Sequence, residues 1–136
     1  DALPWVRFCL RAHHQQAATL LRRNEEYERV YEGIAALARL LRLPERAELP
    51  LFDAALGFRL SNARYRGDAS VSEAVASRDL KRLVDAGLLE AKGEKRGRFY
   101  LAGAELRALR TSLRVPRPLA DPYTLIKDDM PRLPGL

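Results

Sequence analysis

Arg78, Lys81 and Arg82 recur at three- and four-residue spacing, which puts three long cationic side chains on one side of a helix, with Ala74 one turn before them. Guanidinium and ammonium groups placed this way can hold phosphate oxygens or the acceptor edge of guanine. A small residue near the first turn lets such a helix approach a groove closely. A second basic group follows in Lys95, Arg96 and Arg98, on a stretch whose Gly93-Glu94-Lys95-Arg96-Gly97 has the composition of a turn. Long cations at a turn can touch a sugar-phosphate backbone without reading sequence. Upstream, Arg64 and Arg66 could extend the same surface, and Ser72 and Ser77 complete the candidate DNA-facing set. Each group has a plainer reading, a solvated helix face and a solubilising hairpin turn, and their occurrence together favours double-stranded DNA as the partner. Because Asp68, Glu73, Asp79, Asp85, Glu90 and Glu94 lie among these cations, binding would rest on placement of charge and on dimerisation.

These residues need a scaffold, and the sequence supplies one. Residues 72–86 read as a helix: Ser72 can cap the first turn, Glu73 suits the helix dipole, and Gly87 can end it in the left-handed conformation. Ser70-Val71-Ser72-Glu73 also fits a capping box that would start the helix two residues earlier. Ala76, Leu80, Leu83 and Val84 define its buried face. Residues 88–92 and 98–101 are short apolar-rich runs around the basic turn, predicting a hairpin. Before them, residues 50–58 open with proline and close near glycine, as a helix does, with Phe52, Ala55 and Leu56 toward the core. Residues 61–67 give a weaker helix, capped by Ser61 and turning at Gly67-Asp68. Residues 104–113 close the domain with Leu106, Leu109 and Leu113 on one side. The order is that of a winged helix-turn-helix over residues 45–114, in a mostly α (α+β) chain with a short β-hairpin wing.

Residues 1–44 form a long N-terminal helical arm. No glycine or proline interrupts residues 5–32, and the pattern runs on to Pro44, giving a helix about 57 Å long at 1.5 Å per residue unless Asn24-Glu25-Glu26 restarts it as a hairpin. Trp5, Phe8 and Ala12 make an early stripe, while Leu20, Tyr27, Val30, Ile34, Leu37 and Leu41 fall on a seven-residue repeat, the expected homodimer interface. Residues 115–136, rich in proline, are expected to be an extended tail.

Composition sets the bounds. The 136 residues are 47% hydrophobic and 31% charged with a formal net charge of +6, which suits a protein with an anionic partner. Cys9 is the single cysteine, so no internal disulfide framework exists, and it is expected to be buried in its helix. No run of membrane-spanning length and no signal peptide is visible, which predicts a cytoplasmic protein without a membrane partner. His13 and His14 point about 100° apart on a helix and have no ligand-spaced neighbours, so no metal is expected. Neither a phosphate-cradling glycine loop nor a nucleophile elbow occurs, and neither a cofactor nor enzymatic activity is expected. The chain opens on Asp1 rather than methionine, which points to a piece of something longer.

Pro4-Trp5-Val6-Arg7-Phe8-Cys9-Leu10, the Gln/Arg/Glu-rich helix after it, Ala76-Ser77-Arg78-Asp79-Leu80 and Ala86-Gly87-Leu88-Leu89 together resemble the C-terminal part of bacterial Fic proteins, over roughly residues 4 to 101. Those enzymes transfer AMP from ATP to protein hydroxyls through an upstream HPFxxGNGR loop, and many carry a winged helix behind it. The resemblance implies a regulatory tail with a Fic domain upstream in the parent chain. His13 and His14 lack the proline, phenylalanine and glycines of that loop, so no catalytic residue carries over. Two functions stay open: a DNA-binding regulatory module, or a winged helix used for protein interaction and dimerisation that controls a parent enzyme without touching DNA.

Overall fold

The computed structural model describes residues 1–117, and the tail expected at 115–136 lies outside them apart from its first three positions. The elements are α1 (Leu3–Leu40), a 3-10 turn (Glu45–Ala47), α2 (Glu48–Ala55), α3 (Asn62–Ala69), α4 (Glu73–Asp85), β1 (Leu89–Lys92), a second 3-10 turn (Lys95–Gly97), β2 (Phe99–Ala102) and α5 (Ala104–Ser112). This is a winged helix, mostly helical with one antiparallel two-stranded hairpin. The chain divides into two compact units, one containing Asp1–Glu25 and the other Glu26–Arg114.

α1 is one continuous helix rather than a hairpin, since Asn24-Glu25-Glu26 contains no breaker. It stops where Pro44 disfavours helix for the residue before it. Arg42 turns into the left-handed region, with Leu43 N bonding Ala38 O at 2.8 Å and Arg42 N bonding Arg39 O at 3.1 Å, the pair of bonds that closes a helix end.

In the unit Asp1–Glu25, Leu3, Trp5, Val6, Phe8, Leu10, Leu20 and Leu21 are exposed, and the Trp5 and Phe8 rings stack with centroids 5.7 Å apart. Cys9 is half-buried, not buried as expected, and its neighbours Phe8 and Leu10 on α1 are exposed. His13 and His14 are exposed.

In the unit Glu26–Arg114, the core joins Val30 and Ile34 of α1 to Leu51 and Ala54 of α2, Leu60, Tyr65 of α3, Ala76, Leu80 and Leu83 of α4, Leu88 and Leu89 at the wing's base and Leu106 of α5. Val30 and Ile34, each 1% exposed, therefore cannot form the expected dimer interface, and Leu37 also packs against this core. A seven-residue repeat and the face of a single helix coincide over a few turns, so the spacing marked a buried stripe without saying what buries it. Of that stripe, Leu20, Tyr27 and Leu41 remain exposed.

α2 begins earlier than its proline suggested, and Pro50 is itself buried in the helix. The inward residues are Leu51, Ala54 and Ala55, while Leu56 and Phe52 are half-buried. Phe52 turns to α1, where Tyr27 and Tyr31 meet its ring edge-on at 6.2 and 5.6 Å. α3 is capped by Ser61, whose hydroxyl accepts from Arg64 N at 3.1 Å, as its sequence indicates. It runs through Gly67 and ends at Ser70, which adopts the left-handed conformation at φ 52°, so the turn into α4 falls at residues 70–72 rather than at Gly67-Asp68.

The hairpin pairs Leu89 with Ala102 and Lys92 with Phe99. A third segment joins it: Leu60 N bonds Tyr100 O at 3.0 Å and Tyr100 N bonds Leu60 O at 2.7 Å. That single bridge ties the wing to the connection between α2 and α3. Among the described residues, no helix is long and apolar enough to cross a membrane.

Candidate nucleic-acid interface

α4 presents the face that could meet a groove. Ser72 caps it, its hydroxyl accepting from Val75 N at 3.3 Å, and Ala76, Leu80 and Leu83 hold the opposite side in the core. Ala74, Ser77, Arg78, Lys81 and Arg82 are exposed. Their environments differ, and the differences divide the sequence-derived set.

Arg82 does not point outward. Its guanidinium donates to the carbonyls of Arg42 at 2.8 Å and Leu41 at 3.2 Å, where a cation satisfies the free carbonyls and the negative dipole end of α1. Arg64 is likewise committed: it pairs with Asp53 at 2.5 Å and Asp68 at 3.7 Å and lies 5.8 Å from the centre of the Phe58 ring. Arg66 sits 3.8 Å from Glu73. Ser77 accepts a hydrogen bond from Asn62 Nδ2 at 3.0 Å, linking α4 to the start of α3. Sequence spacing identified these cations but could not show that neighbouring carboxylates and carbonyls take up three of them.

Arg78 and Lys81 remain on the outer face of α4 without an ion pair among the described residues, and so do Lys95, Arg96 and Arg98 at the wing. At that wing Gly93, at φ 75°, faces the Gly97 carbonyl so closely that a Cβ would lie 2.7 Å from its oxygen, which fixes a glycine there. Lys95 follows in the left-handed region at φ 47°. Lys92 bonds Glu90 at 2.6 Å instead of standing free, and Arg107 lies 3.6 Å from the same carboxylate.

What fixes the tilt of α4 was not expected from sequence. Asp79 is 7% exposed, on the inner side of the helix, and receives three hydrogen bonds: from Arg46 Nε at 2.7 Å to Oδ2, from Arg46 at 3.2 Å to Oδ1, and from the Tyr65 hydroxyl at 2.9 Å to Oδ2. One carboxylate thus joins the 3-10 turn before α2, helix α3 and helix α4. Burial pushes this carboxyl's pKa up, but the hydrogen bonds from Arg46 and Tyr65 and the Arg46 charge together outweigh it and hold Asp79 below the ordinary carboxylate range. Burial, then the bond to Asp79, pushes the Tyr65 hydroxyl well above its usual range, so it stays a donor. The hydrogen bond to Asp79 raises Arg46 as well. The signal was present: Asp79 stands three residues after Ala76 and four before Leu83, on the buried face, where an acid requires partners.

A second fixed point lies where α4 meets the wing. Gly87 ends α4 at φ 73°, and Gly103 begins α5, donating from its N–H to Leu88 O at 2.8 Å. Glu105 N reaches Gly87 O at 3.3 Å. A Cβ on Gly103 would run into the Gly87 carbonyl. In α5, Arg110 donates to Ala55 O at the end of α2 and lies 4.0 Å from the buried Glu26.

Among the described residues no group of three or more His, Cys, Asp or Glu side chains could hold a metal ion.

No family model matches the chain, and no curated protein matches it. Among solved structures it is similar to HlyU from Vibrio cholerae N16961, at 23% identity and TM-score 0.44 over 60% of this chain and 89% of that one. It is also similar to a MarR family transcriptional regulator from Silicibacter pomeroyi DSS, at 18% identity and TM-score 0.44 over 93% of this chain and 68% of that one. Neither is a Fic protein, so the expected membership of the Fic family and the Fic domain upstream are corrected on this finding.

Proposed function

We propose that this chain is a DNA-binding regulatory module that sets α4 in the major groove of duplex DNA and rests the wing on the sugar-phosphate backbone. The observation that carries the reading is the placement of locally unpaired cations at two sites of the winged helix, Arg78 and Lys81 on the outer face of α4 and Lys95, Arg96 and Arg98 at the wing. In this reading Ala74 and Ser77 flank the reading face, Ser72 positions its first turn, and Arg64, Arg66 and Arg82 act mainly by holding the scaffold. The chain works by binding, without cofactor or catalysis, and in the cytoplasm where DNA is accessible. Selection from a random duplex library should enrich a common sequence, and Arg78→Ala should weaken binding to it by about 1 to 3 kcal/mol if the side chain reads a base. A folded wild-type chain that binds no duplex even in low salt would make protein interaction the better reading.

Self-association accompanies DNA binding in this reading, through the exposed apolar residues of α1 in the unit Asp1–Glu25 rather than through Val30 and Ile34. Leu20, Trp5 and Phe8 are 54%, 67% and 61% exposed, more apolar surface than a helix face keeps in water without cost. Sedimentation should show a dimer that Phe8→Glu weakens; Ile34→Glu should instead unfold the winged helix. A monomer at high micromolar concentration would contradict the dimer.

A further inference from the structure

The unpaired cations of the proposed DNA-facing surface all come from α4 and the hairpin. The segment bridged to the hairpin carries another. Arg59 directly precedes Leu60, whose two backbone bonds to Tyr100 fix this stretch against β2. Arg59 is exposed, and its guanidinium carbon lies 4.6 Å from the centre of the Phe99 ring. Phe99 is the first residue of β2, paired with Lys92 at the tip end of the hairpin and adjacent to Arg98.

Stacking orders an arginine without using its donors. A guanidinium on an aromatic face is held by the ring's quadrupole, while its N–H groups stay at the edge of the plane. No hydrogen bond or ion pair engages the Arg59 side chain among the described residues, in contrast to Arg64, Arg66 and Arg82. The cost of ordering a long side chain is therefore met before any ligand arrives, and the donors are left for one. On the tip side Lys95, Arg96 and Arg98 outnumber the one acid of the turn, Glu94, and Glu90 on β1 is engaged by Lys92 and Arg107.

We propose that Arg59, held on the Phe99 ring, is a phosphate-binding residue of the wing, gripping the backbone of duplex DNA beside Lys95, Arg96 and Arg98. This inference rests on the DNA-binding reading above. A planar guanidinium with free edges suits a phosphate better than an ammonium does, because two of its N–H groups can meet two oxygens. Phe99 is then a positioning residue that acts through Arg59.

The test is duplex titration by the full 136-residue chain at several salt concentrations, with Arg59→Ala, Arg59→Lys and Phe99→Leu. Arg59→Ala should weaken binding about five- to tenfold near 0.1 M salt and flatten the slope of log affinity against log salt by about 0.9, the effect of one lost phosphate contact. Arg59→Lys and Phe99→Leu keep the charge and lose the stack, so they should weaken binding about two- to fourfold with the slope retained. Thermal melts of each variant check that the fold is intact, and Phe99→Tyr, which keeps the ring, should bind as wild type. If wild type binds and Lys95→Ala lowers the slope while Arg59→Ala does not, the inference fails and the DNA reading stands. If wild type binds no duplex, both fail together.

Discussion

Gly103→Ala should be the most damaging single methyl in the chain, costing about 3 kcal/mol or more, enough to leave a small domain partly unfolded. The added Cβ has nowhere to go: it meets the Gly87 carbonyl oxygen and lies 2.9 Å from both the Gly87 and Leu88 carbonyl carbons, all backbone atoms that cannot rotate aside. Those atoms sit at the end of α4 and the start of the wing, and Gly103 also supplies the N–H that bonds Leu88 O. Relief of the overlap must therefore move the reading helix relative to the hairpin or the start of α5. Gly87→Ala should be milder, about 1 to 2 kcal/mol, because its penalty is the left-handed backbone at φ 73° rather than a backbone collision. Denaturant melts of the two variants give the comparison. Equal stability of Gly103→Ala and wild type would mean that α5 does not start against α4 as described.

The second large effect belongs to Asp79. Asp79→Ala should lower stability by about 2 to 4 kcal/mol, since it leaves the hydroxyl of Tyr65, which is 0% exposed, without its acceptor and removes the link between three elements. The side chain of Arg46 is 41% exposed and can turn to water, which keeps the loss below that of a fully buried pair. Tyr65→Phe should cost less, about 1 to 2 kcal/mol, and a double-mutant cycle between the two positions should show strong coupling. The pH dependence has a definite sign. Asp79 is held below its unfolded value, so its contribution is complete above the ordinary carboxylate range and is lost as pH falls through its lowered folded value. Melts of wild type should weaken on acidification in that window, and Asp79→Asn should flatten this part of the profile. An Asp79→Asn profile parallel to that of wild type would show that the carboxylate is not the link.

The fold was largely written in local patterns. Ser61 and Ser72 cap the helices that follow them, Gly87 ends α4, and the glycines at 93 and 97 frame the wing turn, because each of these depends on a few neighbouring residues. What escaped sequence reading depends on distant partners. Arg82 looks like a groove-facing cation until the end of α1, some forty residues earlier in sequence, is folded beside it. Arg46 and Asp79 are separated by 33 positions, so neither announces the other. Val30 and Ile34 looked like a dimer seam because the helix they lie on is too long for periodicity to reveal which stretch meets the chain's own core. Leu60 could not be recognised as strand at all, since one residue in a bridge has no period. In the candidate site the sequence marked the cations but not their partners: Arg78, Lys81, Lys95, Arg96 and Arg98 keep exposed charges, whereas Arg64, Arg66 and Arg82 are engaged with the scaffold.

The most direct test of the DNA-binding reading is the salt dependence of duplex affinity for wild type, the pair Arg78→Ala and Lys81→Ala, and the set Lys95→Ala, Arg96→Ala and Arg98→Ala. The wing set should weaken binding to every sequence alike and lower the salt slope by about 0.9 for each phosphate contact removed. The α4 pair should instead reduce the preference for a selected sequence over an unrelated one. Both sets lie on the surface away from Ala76, Leu80 and Leu83, so folding should be retained. Wild type that is folded yet binds no duplex at low salt, or α4 and wing variants that bind as wild type does, would contradict the reading.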